Sequence, residues 1–154
     1  MPMLSFLHRG GLTGEERVDV HEYLRTVRPL TETLDREYAT WLETGADGPG
    51  RLSRDRDPDA QHASVYLWRV GDAARDFVQR DPVKGAERYH EAMSLCLEAR
   101  AAAADIFKES SGTGSHNNPS AKVNAANRKL VEADGFLARS RDALRELESR
   151  LAAR

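Results

Sequence analysis

Three Asx-Pro dipeptides punctuate the chain: Asp57-Pro58, Asp81-Pro82 and Asn118-Pro119. Each stands ahead of a long stretch with apolar residues at helical spacing. An Asp or Asn at the N-cap accepts a hydrogen bond from an otherwise unpaired N–H of the first turn. Proline suits the first helical position, because its missing N–H has no intrahelical partner to lose and its φ is already helical. Thr13 and Glu16 add a fourth start with capping-box spacing. Four starts in 154 residues predict four helices, over about residues 13–44, 58–80, 82–109 and 119–152.

The apolar positions support each one. In the first helix Val20, Leu24, Val27, Leu34, Tyr38 and Trp41 make one stripe, widened by Leu30 and Leu42. In the second, Ala63, Tyr66, Leu67, Val70, Ala73, Ala74 and Phe77 share a face. In the third, Ala86, Tyr89, Met93, Cys96, Leu97, Ala104 and Phe107 do so. The fourth runs Val123, Ala126, Leu130, Ala133, Leu137, Ser140, Leu144, Leu147 and Leu151, in strict alternation of three and four. Trp41, Trp68, Tyr38, Phe77 and Phe107 are the expected large core fillers. Pro29 interrupts the first stripe and predicts a kink near residues 25–29, with a split into two shorter helices as the alternative. Two polar stretches, about 45–57 and 110–118, read as loops, and the second, with its glycines, as a flexible one. The expected architecture is all-α: an antiparallel up-down-up-down four-helix bundle forming one domain over 13–154, preceded by an apolar arm over 1–12.

Composition excludes more than it selects. The net charge is −2, which favours neither a nucleic-acid polyanion nor an acidic membrane. Nothing approaches the run of about 20 apolar residues that a membrane span needs. Nineteen of the 23 basic residues are Arg, and on mixed-charge helix faces that reads as ordinary surface. Cys96 is the single cysteine, on an apolar face, so no intrachain disulfide forms. That fits a reducing compartment, and a cytoplasmic location is expected.

Three patterns carry candidate chemistry. Glu87-x-x-His90 places a carboxylate and an imidazole on one helix face, the unit from which di-metal bundles are built. The chain has no second copy, but antiparallel packing puts His21 near the same end, so Glu87, His90 and His21 form a candidate metal site. Arg56 and His62 fit the loose Arg-x(4–6)-His spacing of helical-bundle ribonucleases, across the start of the second helix. The C-terminal leucines Leu144, Leu147 and Leu151 are candidate interface residues, projecting past the shorter middle helices toward another chain. No nucleophile elbow, phosphate-binding loop or zinc-type cysteine pairing is present, and no cofactor is implied. The preferred functional reading is a non-enzymatic protein-interaction or scaffold module, pairing with another protein or with itself as a homodimer. Metal binding and nuclease or nucleic-acid action are the alternatives.

Overall fold

The structure, a computed structural model, describes residues 11–45, 58–110 and 119–153. Residues 1–10 of the expected arm over 1–12, most of both expected loops and Arg56 lie outside the described residues. Within them the protein consists of four helices: α1 (Gly14–Gly45), α2 (Pro58–Gln79), α3 (Glu87–Ser110) and α4 (Pro119–Ala152).

The start of α1 is a reciprocal capping box. The Glu16 N–H donates to Thr13 Oγ1 at 3.2 Å, and the Thr13 N–H donates to Glu16 Oε2 at 3.3 Å. The helix then continues through Pro29 as one element, without the split. Proline denies the Arg25 carbonyl its intrahelical donor. Both residues lie on the exposed face, where water can replace that donor. Thr33 Oγ1 also donates to the Pro29 carbonyl at 2.9 Å, adding a side-chain bond beside the interruption.

Pro58 and Pro119 open α2 and α4, but Pro82 does not open α3, which begins at Glu87. Between the two helices the chain has to reverse, and Pro82 leads into a turn instead. The Ala86 N–H donates to the Val83 carbonyl at 3.0 Å, and Gly85 has φ of +101°. That backbone state, at the third position of a tight turn, favours glycine. The Glu87 carboxylate then accepts the Gly85 N–H at 2.9 Å, and Ala86 supplies the first carbonyl of α3 to His90.

Cross-helix pairs give the directions. Glu37 meets Arg69 and Trp41 stacks on Tyr66 between α1 and α2. Phe77 packs on Tyr89 and His90 between α2 and α3. Arg88 meets Glu146, and Glu109 meets Lys122, between α3 and α4. The pairs with contacts at two places along their length, α1 with α2 and α3 with α4, run in opposite senses.

The seams differ in character. α3 and α4 approach closely through small side chains, among them the buried Ala92, Ala99, Ala103, Ala126, Ala133 and Ser140. α1 and α2 instead interlock through buried Tyr38, Trp41 and Tyr66. α1 and α4 come together at few points. Their ties are Arg28 to Glu148 at 2.7 Å, and the Arg17 guanidinium donating to the carbonyls of Leu151 and Ala153. Arg17 thus satisfies carbonyls at the end of α4 that the helix itself leaves open.

Two expectations about packing are corrected. Trp68 is not a core filler: it is 83% exposed. Two residues along a helix turn the chain by about 200°, so Trp68 lies opposite Tyr66, which is buried. The C-terminal leucines do not project past the bundle. Leu147 is in the core, and Leu144 and Leu151 pack against it half-buried. Leu12, itself buried, lies with Leu147 over Gly85, and covers what the short middle helices leave bare.

Candidate functional site

The described residues do not bring the candidate metal residues His21, Glu87 and His90 into one group. His90 is buried, and its Nδ1 lies 2.7 Å from the Tyr23 hydroxyl. Its ring stacks on Phe77 at 4.6 Å between centroids. Burial and the neighbouring Arg80 lower its pKa, against an opposing pull from the Val78 carbonyl and Asp81. Glu87 is turned to the Gly85 N–H and is exposed. His21 is exposed on the seam between α1 and α4. Among the described residues no three His, Cys, Asp or Glu side chains converge. One Glu-x-x-His on a helix is therefore a cap and a core histidine here.

His62 sits in a recess of about 160 Å³ between α1 and α2. Glu37, Thr40, Trp41, Val65, Tyr66 and Arg69 complete its walls. The floor is aromatic, with Trp41 and Tyr66 stacked at 4.9 Å and 15°. Arg69 and Glu37, 3.4 Å apart, form the charged rim.

On its other flank α2 forms a second cleft, of about 330 Å³, with α3. Leu67, Val70, Ala74, Val78, Leu97 and Ala101 give it an apolar lining. Gly71 is part of its wall, and a Cβ there would meet nothing within 4 Å. On the ridge of α2 stand Val65, 43% exposed, and Trp68. The outer side of α2 thus combines a protruding indole with a recess on one side and an apolar cleft on the other.

Sequence reasoning missed a buried cation. Arg100 of α3 has a side chain only 1% exposed, bonded to Asp35 of α1 at 2.8 Å. Its guanidinium carbon lies 4.1 Å from the Tyr38 ring centroid. Its Nε has no hydrogen-bond partner among the described residues. The signal was there in the spacing: Met93, Cys96, Arg100, Ala104 and Phe107 advance by threes and fours, so the seam passes through Arg100. The Arg100 end is enclosed while Asp35 reaches the surface, and the pair ties α1 to α3.

No helix of the described residues is long and apolar enough to cross a membrane. Set beside family models, curated proteins and solved structures, the chain finds no match in any of the three.

Proposed function

We infer that the protein is a non-enzymatic interaction module that engages another protein, or a second copy of itself, through the outer side of α2. The observation that carries this reading is the exposure of Trp68. A large apolar side chain left in water forgoes about 1.5–3 kcal/mol that burial would supply. Tryptophan is also the side chain most enriched among the residues that dominate binding energy at protein interfaces. The recess and the cleft beside it give a partner's side chains places to enter, and Glu37 and Arg69 offer a polar rim. A cytoplasmic setting agrees with a free, buried Cys96.

The test places a photo-crosslinking amino acid at position 72, one turn beyond Trp68, in full-length protein inside cells. Support is an adduct with one protein identified by mass spectrometry, or with the chain itself, that is lost in Val65→Asp. Diffuse labelling, or an adduct indifferent to Val65→Asp, overturns the reading.

A further inference from the structure

The seam between α1 and α4 holds a groove of about 570 Å³, within the range of ordinary ligand clefts. Its lining is His21, Leu24, Arg25, Arg28, Glu148 and Leu151, with Ala152 at one end. Leu24 and Leu151 give it an apolar floor. His21, Arg25 and Arg28 follow one another at spacings of four and three, so α1 presents them on one side. Arg28 shares its charge with Glu148 at 2.7 Å. Arg25 makes no ion pair among the described residues. The groove therefore joins a guanidinium without an ion pair among the described residues, a second one held in place, and an imidazole to a hydrocarbon floor.

The groove exists because of how this seam is made. α3 and α4 close through alanines, but α1 and α4 are held by the Arg17 ties at one end and the Arg28–Glu148 pair. The space lies between those ties and is not filled by side chains of either helix.

We propose that this groove binds an amphiphilic anion: a phosphate monoester or carboxylate carrying a short hydrocarbon chain. The headgroup meets Arg25 and Arg28, which suit oxyanions through their forked donors. The chain lies along Leu24 and Leu151. The site is independent of the α2 surface, and its failure leaves that reading untouched.

Octyl phosphate, below its micellar concentration, is the first probe, followed by the methyl NMR signals of Leu24 and Leu151. Inorganic phosphate and 1-octanol are the separate head and tail. The expected result is saturable shifts at both leucines with octyl phosphate, at least about tenfold tighter than with either fragment. Arg25→Gln, an exposed change that leaves the core alone, weakens binding by about tenfold, as loss of a charge-assisted hydrogen bond does. Arg139→Gln, a cation on the far α3–α4 side, changes nothing. Equal binding of octanol and octyl phosphate, unchanged affinity in Arg25→Gln, or shifts centred on Leu67 and Leu97 overturns the proposal.

Discussion

The Tyr23 hydroxyl and the His90 Nδ1 stand 2.7 Å apart in the interior, and this one bond fastens α1 to the first turn of α3. Phe77 closes the other side of the imidazole, so the corner between α2 and α3 is held at the same point. A ring placed this way is kept neutral by burial, and its pKa lies below the ordinary 6.5.

Acid should therefore loosen the fold. The unfolded chain takes up a proton on His90 at a higher pH than the folded one, so stability rises with pH across the interval between the two pKa values. The His90 contribution is complete above pH 6.5 and is lost as pH falls through the folded value. Thermal melts from pH 7.5 to 4.5 should show this slope in the wild type and a shallower one in His90→Phe. Parallel profiles would remove His90 as the cause.

Arg100 and Asp35 should respond unequally to replacement. Asp35→Ala leaves the guanidinium buried without its carboxylate, and should cost about 1–3 kcal/mol, less than a fully buried pair because Asp35 is partly exposed. Arg100→Met keeps the volume and removes the charge, and should cost less than Asp35→Ala. Urea denaturation of both variants decides the order. The reverse order would mean that the contact with Tyr38 outweighs the ion pair.

Two glycines should give opposite signs. Gly85 has φ of +101°, and an added Cβ would lie 3.2 Å from Leu12 Cδ2, so Gly85→Ala should destabilise by about 1–2 kcal/mol. Gly135 is exposed within α4 with nothing within 4 Å of a new Cβ. Gly135→Ala should stabilise by about 0.5–1 kcal/mol. Denaturation midpoints measured side by side provide the check.

The Cys96 thiol should be inert in the folded protein. Burial pushes its pKa up to about 11, and it is fully enclosed among Ala99 and Ala133. Reaction with a thiol-specific disulfide reagent at pH 8 should be slow in buffer and fast in urea. Fast labelling of native protein would show that the α3–α4 seam opens far more readily than its packing implies.

Much of this fold was legible from the chain. The seams of α1, α2 and α4 follow apolar spacing closely, because a helix that must bury one stripe has few ways to write it. Thr13 and Glu16 announced their cap because both partners are local. Pro82 misled because an Asx-Pro pair serves a turn as well as a helix start, and only the need to reverse direction tells them apart. Trp68 was misjudged by residue type, although its phase already set it opposite Tyr66. Arg100 was overlooked for the converse reason, since its charge hid a core position. Glu87 and His90 are near in sequence, but hydrogen bonds to Gly85 and Tyr23, which spacing alone does not reveal, engage both of them elsewhere.

Alanine against alanine along α3 and α4 also sets an order of events. Backbones this close make a spine whose amides exchange last, because opening it exposes long stretches of both helices at once. α1 leans on that spine through large rings and a few polar ties, so it is the element that departs first. A ligand in the groove beside α1 therefore meets the part of the molecule that yields, while the α3–α4 pair stays as it was.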